Sequence, residues 1–385
     1  MSAVDWILQC PACHATKAPE GLDGVCACGH PWLVRYPERD WSRFTPEAFG
    51  PERSMWRYRP FLPLTAAEAP ISLGEGLTPL LRAPRRGERL GARQLYIKEE
   101  GTNPTGSFKA RGLSAAITRA VLGGAERFTL PTAGNAGVAA SAYGARAGKD
   151  VRVFAPETTP PTLLAQIKLF GGDLHLDPGH IGDCGKRSRA WAAESGAMDL
   201  STLREPYRIE GKKTLGLELA EQFGWTLPDV ILYPTGGGTG LIGMWKAFQE
   251  LRDAGWVRGK LPRMYSVQST GCAPIIRAFE AGTPKAEPWA DPWTVASGLR
   301  VPGPLGDRLI LTAIRESGGG AVAVTDEALS AAALEHSRLE GIDLSPEGGA
   351  SLAALAALLA DRQVDPDERV VAFNTGAGWL YRSAV

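Results

Sequence analysis

Thr235-Gly236-Gly237-Gly238-Thr239-Gly240 lies between a short apolar run, residues 230–234, and a helical pattern over residues 241–251. Consecutive glycines let the backbone turn tightly and leave its N–H groups uncovered. At the start of a helix, these groups and the helix dipole attract an anion. The order of strand, glycine turn and helix therefore predicts an α/β unit with an anion site best suited to a phosphate. The alternative is a turn without a ligand.

The turn does not match two common nucleotide-binding motifs. No lysine follows it, so it is not a P-loop, and its glycines lack the spacing of a dinucleotide fingerprint.

Strand and helix patterns alternate from residue 94 onward. Strands are predicted at 94–99, 127–131, 151–155, 230–234, 264–268, 321–324 and 369–373, and helices at 107–122, 135–147, 162–170, 241–251 and after Pro346. This order is typical of βαβ units with a mostly parallel sheet. Because these seven strands exceed one sheet of ordinary size, we expect two open α/β lobes. Sites in such folds lie at the carboxyl ends of the strands.

The charges of the chain balance, since 42 basic and 42 acidic side chains give the 385 residues no net charge. General nucleic-acid binding normally requires a basic excess. The longest uncharged apolar run, residues 350–360, is far shorter than the roughly 20 residues of a membrane-spanning helix. The start of the chain lacks the apolar core of a secretory signal. We therefore expect a cytoplasmic protein with neither nucleic-acid nor membrane partners.

The first 28 residues contain four of the six cysteines, Cys10, Cys13, Cys26 and Cys28. In a cytosolic protein this clustering favours metal over disulfide chemistry. The two pairs are similar to the knuckles of a tetrahedral zinc site, although the second pair has one intervening residue instead of two. Either the head binds a structural zinc, with His14 or His30 as possible replacement ligands, or it is a metal-free ribbon held by packing of its tryptophans. Cys184 and Cys272 are expected in the core.

A second dense stretch, residues 103–112, reads Asn-Pro-Thr-Gly-Ser-Phe-Lys-Ala-Arg-Gly. Pro104 and Gly106 favour a turn, and Ser107 is a candidate helix N-cap. Lys109 then falls in the first turn of a helix, where the local positive potential disfavours its charged form. A lysine in that position suits Schiff-base chemistry. Taken alone, it would be interpreted as a solvated surface residue.

Five stretches, in this order, resemble the motifs of the fold-type II pyridoxal-phosphate enzymes. They are residues 72–80, 103–112, 132–137, 236–240 and 374–378, and the resemblance covers about residues 70–385. It implies pyridoxal 5′-phosphate as the cofactor, which supplies an electron sink while the protein anchors and orients it. The cysteine-rich head and the segment after it are similar to one branch of the threonine synthases.

The resemblance also implies roles for single residues. Lys109 matches the lysine that holds the cofactor, Asn135 the partner of its 3′-oxygen, and Thr375 the hydroxyl that faces its pyridine nitrogen. Phe108 and the phosphate loop complete the expected cofactor contacts, the loop being Gly236, Gly237, Gly238, Thr239 and Gly240. Thr105, Ser107 and Thr132 are expected on the substrate side.

The expected domain organisation follows from the same resemblance. Residues 1–35 would form a zinc-ribbon-like head, residues 36–112 and 195–385 a large cofactor-binding lobe, and residues 113–194 a smaller lobe. A homodimer is expected.

Residues 205–214, Glu-Pro-Tyr-Arg-Ile-Glu-Gly-Lys-Lys-Thr, resemble a threonine synthase stretch that holds the phosphate of O-phosphohomoserine. The match places the phosphate-binding arginine at Arg208, whose guanidinium fork suits a phosphate dianion. The implied reaction converts O-phosphohomoserine and water to threonine and phosphate.

Several positions depart from the threonine synthase pattern. Glu205 replaces an asparagine, Ala136 replaces a threonine, and further departures are Ala110, Thr202-Leu203 and Trp379-Leu380. They leave open a dehydratase or β-replacement enzyme acting on threonine, serine or a phosphorylated analogue, and in either enzyme the expected partner is a small-molecule amino-acid substrate. A non-catalytic paralogue is a further alternative, against which the intact Lys109 argues. Glu347, near the start of a helix, is interpreted as a stabilising N-terminal charge.

Overall fold

The computed structural model describes residues 4–20, 22–41, 44–45 and 49–382. The chain forms two compact units, Met1–Leu77 with Lys109–Leu215, and Thr78–Phe108 with Gly216–Val385. These bounds differ from those of the head and the two lobes expected from the sequence. The expected division into three parts stays a prediction.

The strands, in chain order, are β1 (Ile7–Gln9), β2 (Thr16–Lys17), β3 (Leu33–Arg35), β4 (Leu80–Arg82), β5 (Gln94–Glu99), β6 (Arg127–Pro131), β7 (Asp150–Pro156), β8 (Asp173–Asp177), β9 (Met198–Asp199), β10 (Val230–Pro234), β11 (Arg263–Ser269), β12 (Gly320–Val324) and β13 (Arg369–Asn374). The strands predicted at 94–99, 127–131 and 230–234 occur with the predicted bounds, and the others are longer by one or two residues.

The α-helices are α1 (Pro84–Leu90), α2 (Lys109–Leu122), α3 (Asn135–Ala147), α4 (Pro161–Leu169), α5 (Ile181–Ser195), α6 (Tyr207–Gln222), α7 (Thr239–Asp253), α8 (Pro274–Glu280), α9 (Asp307–Glu316), α10 (Asp326–Glu340) and α11 (Pro346–Ala360). Short 3₁₀ segments lie at Met55–Phe61, Glu100–Thr102, Ser297–Leu299 and Gly378–Tyr381. None of the helices in the described part of the chain combines the length and apolar character needed to cross a membrane.

The first unit contains two sheets. The antiparallel sheet β2-β1-β3 forms the cysteine-rich head. The sheet β8-β7-β6-β9 is parallel throughout, and its strands bury apolar residues such as Phe128, Leu130 and Val153. Helices α3 and α5 pack against β7, as expected for βαβ units.

The second unit contains a six-stranded sheet in the order β12-β11-β10-β13-β5-β4. Neighbouring strands are parallel except β4, which pairs antiparallel with β5. Leu232, Val267 and Val370 are fully buried in the core of this unit together with Leu355 of α11. The prediction of a mostly parallel α/β fold is confirmed.

The parallel register brings the loops with the predicted site residues to one edge of each sheet. In the second unit, the glycine turn follows β10, Thr375 follows β13, and the segment leading to Lys109 follows β5. In the first unit, the 132–137 loop follows β6, and the segment leading to Arg208 follows the neighbouring strand β9.

Candidate active site

Three glycines of the turn in the second unit have no room for a side chain. A methyl group on Gly236 would overlap the carbonyl oxygen of Gly298, one on Gly238 the side chain of Ile310, and one on Gly240 the hydroxyl of Tyr233. Gly238 has φ +75° and occupies the N-cap position of α7, and among the residues that the structure describes no side chain caps this helix. The first N–H groups of α7 therefore remain available to an anion.

The segment before Lys109 is tied by its backbone to the loop that carries Thr375. The Phe108 N–H donates to the Thr375 carbonyl at 3.0 Å, and the Ala377 N–H donates to the Gly106 carbonyl at 2.9 Å. Ser107 forms a β-bridge with Gly376. Helix α2 begins at Lys109, so the helix starts two residues later than predicted, and Ser107 belongs to the bridge.

Tyr233 links this segment to the glycine turn. The rings of Phe108 and Tyr233 pack edge to face, with centroids 6.1 Å apart, and the Tyr233 hydroxyl lies against Gly240. Within the second unit, the aromatic pair therefore brings together the peptide that precedes Lys109 and the turn proposed for a phosphate. Sequence reasoning missed Tyr233, because an aromatic residue in a buried strand is ordinarily a core residue.

A buried polar network holds the Thr375 loop. The Asn374 amide donates to both carboxylate oxygens of Glu99, at 3.0 and 2.9 Å, and its Oδ1 accepts the Ser345 N–H at 3.1 Å. Burial raises the pKa of Glu99 to about 7, against the lowering effect of the Asn374 hydrogen bonds. These contacts fix the residue directly before Thr375.

Glu347 has a more specific position than a charge at a helix start. It is buried in the first turn of α11, and its Oε1 accepts the Gly298 N–H at 2.8 Å. Burial raises the pKa of Glu347. Because the carbonyl of Gly298 closes over Gly236, Glu347 supports the glycine turn through one intervening residue. Only the fold could reveal this contact, since Gly298 carries no sequence signal.

Thr105 has an unused hydrogen-bonding group. Its side chain is 3% exposed, and its Oγ1 has no hydrogen-bond partner among the described residues. A buried hydroxyl without a partner is rare in folded proteins unless a ligand or water serves it. This observation fits the predicted substrate side of the site.

In the first unit, Thr132 shapes the loop that leads to Asn135. Its Oγ1 accepts the N–H groups of Gly134 at 2.9 Å and Gly137 at 3.0 Å. Asn135 is the first residue of α3. The Thr132 hydroxyl therefore has a structural task besides its predicted role on the substrate side.

The 72–80 motif has a structural centre at Glu75, which is fully buried in the first unit. Its carboxylate accepts from the Trp56 Nε1 at 2.9 Å, the Ser114 hydroxyl at 2.5 Å and the Tyr143 hydroxyl at 2.6 Å. Such a set of donors stabilises a buried carboxylate. Glu75 thereby joins the 72–80 motif to helices α2 and α3.

Arg208 is buried at the start of α6, whereas a lone arginine would be expected in a surface ion pair. Its side chain is 1% exposed, and its Nη1 donates to the Leu200 carbonyl at 2.8 Å. Its Nε and Nη2 have no hydrogen-bond partner among the described residues. Burial lowers the pKa of Arg208. Two free donors on a buried guanidinium indicate an anion ligand.

Glu205 caps the same helix. Its carboxylate accepts the Tyr207 N–H at 2.7 Å and the Arg208 N–H at 3.0 Å. It is 1% exposed, and burial raises its pKa to about 7, against the lowering effect of the Arg208 charge. The position that departs from the threonine synthase pattern is therefore an internal acceptor at the helix start.

The four cysteines of the head converge. All their sulfurs lie within 4.8 Å of one another, with Cys10 and Cys28 at 3.4 Å and Cys13 and Cys26 at 3.6 Å. Four sulfurs around one zinc, at roughly 2.3 Å from the metal, would be about 3.8 Å apart. The shorter second knuckle therefore still reaches the cluster, and His30 contacts it as a neighbour of Cys28 at 3.5 Å. The predicted core cysteines, Cys184 and Cys272, are fully buried.

The family model for pyridoxal-phosphate-dependent enzymes matches residues 71–376. The chain belongs to this family. A threonine synthase of Methanosarcina acetivorans is 36% identical over 324 residues, which cover 84% of this chain and 79% of that protein. A threonine synthase of Methanocaldococcus jannaschii is 34% identical over 373 residues, covering 96% and 92%.

Solved structures share the fold. Maize serine racemase superposes with a TM-score of 0.68 at 22% identity, covering 78% of this chain and 88% of that one. A threonine deaminase of T.th. gives a TM-score of 0.66 at 26% identity, covering 80% and 94%. The predicted family, fold and enzyme class are confirmed.

Proposed function

We propose that the protein is a threonine synthase that converts O-phosphohomoserine and water to threonine and phosphate. Relatives named threonine synthase match most of the chain. The observation that carries the proposal is the buried Arg208, two of whose nitrogens have no partner in the part of the chain that the structure describes, since the reaction needs a site for a second phosphate besides that of the cofactor.

The cofactor would be held by residues that the sequence nominates. The uncovered N–H groups at the glycine turn suit its phosphate, and Lys109 suits its aldehyde. The full proposed set is Phe108, Lys109, Asn135, Gly236, Gly237, Gly238, Thr239, Gly240 and Thr375. When bound, pyridoxal phosphate withdraws electrons from the substrate carbon and so allows proton removal.

Side chains of the protein would bind the cofactor ring, transfer protons and hold the substrate. The Thr375 hydroxyl is neutral, so it can bond the pyridine nitrogen without adding a charge beside it. The Lys109 Nζ accepts and returns the protons of the substrate carbons, as a positioned general base. Arg208 binds the substrate phosphate through its fork, and Thr105, Ser107 and Thr132 orient the amino-acid part.

A steady-state assay tests this function. Cofactor-loaded protein given O-phosphohomoserine should release threonine and phosphate in equal amounts. If holoenzyme forms and neither product appears, the proposal is wrong.

A second candidate is elimination of ammonia from threonine or serine. The buried carboxylate of Glu205 at the start of α6 favours it, because its negative charge opposes the binding of a substrate phosphate at Arg208. The 26%-identical threonine deaminase structure agrees with this chemistry. Release of 2-oxobutanoate and ammonia from threonine, without turnover of O-phosphohomoserine, would establish this alternative.

We also propose a structural zinc at Cys10, Cys13, Cys26 and Cys28. The head's apolar core includes Trp6, Trp32 and Tyr207, which precedes Arg208, and the Tyr36 hydroxyl donates to Glu210 of α6 at 2.6 Å. A metal in the head would thus stabilise the start of α6 within the same unit. Elemental analysis of purified protein should give one zinc per chain, and a metal-free protein of unchanged stability would refute the site.

The expected homodimer and the expected cytoplasmic location stay predictions. Light scattering of the holoenzyme tests the first, and cell fractionation tests the second.

A further inference from the structure

Arg208 and Glu205 are two buried, oppositely charged residues at the start of α6. The guanidinium presents Nε and Nη2 without partners among the described residues, while the Glu205 carboxylate occupies the backbone N–H groups of residues 207 and 208. Each side chain is 1% exposed. Any anion bound by Arg208 therefore sits near a carboxylate in surroundings that screen charge weakly.

We propose that Glu205 determines which charge state of a phosphate Arg208 accepts, and that a dianion binds together with a proton on Glu205. With Glu205 ionised, the pair has no net charge, and a dianion would leave excess negative charge buried. With Glu205 protonated, the guanidinium charge is uncompensated, and the carboxylic O–H becomes a donor. Burying unbalanced charge is costly, so the protonated form binds the dianion more tightly.

The groups that face Glu205 support this behaviour. Burial is the main cause that raises its pKa to about 7, the Arg208 charge opposes it, and the Asp199 carboxylate adds to it. Tyr207, a further titratable neighbour that itself lies near Asp23 and Arg119, has its pKa raised by burial and stays neutral near pH 7. The pKa of Glu205 is thus placed near neutral pH by its burial beside Arg208.

The inference rests on the proposed function only in naming O-phosphohomoserine as the natural ligand. Since the ionised fraction of Glu205 grows above its pKa, apparent affinity for the dianion falls as pH rises. With a pKa of about 7, the protonated fraction drops roughly fivefold between pH 7 and pH 8, and the apparent dissociation constant rises by the same factor.

Glu205→Gln is the matched variant, since glutamine keeps the size and an acceptor oxygen for the two helix N–H groups but carries no charge. The KM for O-phosphohomoserine should rise about fivefold more in the wild type than in Glu205→Gln between pH 7 and pH 8, with kcat following the same pH profile in both. Glu194→Gln, at an exposed position of α5, should behave as the wild type. Parallel KM profiles of the wild type and Glu205→Gln would overturn the inference.

A binding measurement separates this inference from the proposed function. Inorganic phosphate is titrated into holoenzyme by calorimetry near pH 8, in two buffers of different ionisation enthalpy. The wild type should take up about one proton per phosphate, and Glu205→Gln should take up none. Absence of phosphate binding, or binding by the wild type without proton uptake, would overturn the inference even if Glu205→Gln folds poorly. Proton uptake without turnover of O-phosphohomoserine would support it while contradicting the proposed function.

Discussion

Helices α7 and α6 both begin at a candidate phosphate site, yet their first turns are built differently. Helix α7 begins at Thr239 after its N-cap Gly238, and no side chain of the described residues caps it, so its first backbone N–H groups are available to a ligand. Helix α6 is capped by the Glu205 carboxylate, which occupies the N–H groups of residues 207 and 208, so the proposed anion site there depends on the Arg208 side chain. A helix start without an internal acceptor attracts a phosphate by backbone alone, whereas a capped start depends on a charged side chain.

Replacement of Lys109 should have the largest effect, and it leaves the starts of α6 and α7 intact. Lys109→Ala should lower threonine formation by about 10²–10⁴-fold or more, since it removes the proposed general base and the attachment point of the cofactor. Absorbance spectroscopy and the threonine assay measure the two losses. Lys186→Ala, at an exposed lysine of α5, is the control and should be active. Activity retained in Lys109→Ala would contradict the proposed role.

Arg208→Gln tests the capped start. Hydrogen bonds to charged groups contribute about 1.5–3 kcal/mol each, so losing two should reduce kcat/KM for O-phosphohomoserine by roughly 10²-fold or more. Cofactor content should not change, because the α7 start is untouched. Arg127→Gln, at an exposed strand residue, provides the control. An equal loss of cofactor would mean that the two sites cannot be separated as proposed.

Gly240→Ala tests the uncapped start. The new methyl group would overlap the Tyr233 hydroxyl, and overpacking of this kind costs about 1–3 kcal/mol, or roughly 10–100-fold in cofactor affinity. Fluorescence titration of apoenzyme with pyridoxal phosphate measures the change. Gly182→Ala, where a methyl group meets open space, should bind the cofactor normally. Unchanged affinity in Gly240→Ala would exclude the turn as the phosphate site.

The smallest effect should come from the head. Chelation of zinc, or Cys28→Ser, should lower Tm by a few degrees and raise the KM for O-phosphohomoserine severalfold, because Tyr207 packs in the head's core beside Arg208. Cofactor content should stay constant, and added zinc should restore the chelated wild type. Thermal unfolding and steady-state kinetics report both changes. A loss of cofactor with an unchanged KM would contradict the expectation that the head supports Arg208 and not the cofactor site.

The start of α7 was predictable from sequence because its properties are local. Three glycines between a strand and a helix specify a tight turn wherever the chain places it, and the strand at Val230–Pro234 has its predicted bounds.

The hydrophobic pattern does not predict helix α6, although residues 205–214 at its start carry a recognisable motif. Glu210, Lys212 and Lys213 are fully buried, so polar residues occupy positions that an amphipathic helix would fill with apolar ones. The Lys213 ammonium is paired with Glu210 at 2.7 Å. The periodic spacing of apolar residues cannot predict such a helix, because its polar residues are buried by elements that are distant in the sequence.

The sequence by itself determined the family, the α/β alternation, the cofactor lysine candidate and the cysteine cluster, because each depends on residue types at short, fixed spacing. The tertiary structure alone decided that Tyr233 and Gly298 close over the glycine turn, that Glu347 supports it, and that Glu205 shares a buried site with Arg208. These contacts join residues that are distant in the sequence, so only the folded chain shows them. The pKa of the Glu205 carboxyl likewise depends on its burial and on its neighbours in the fold.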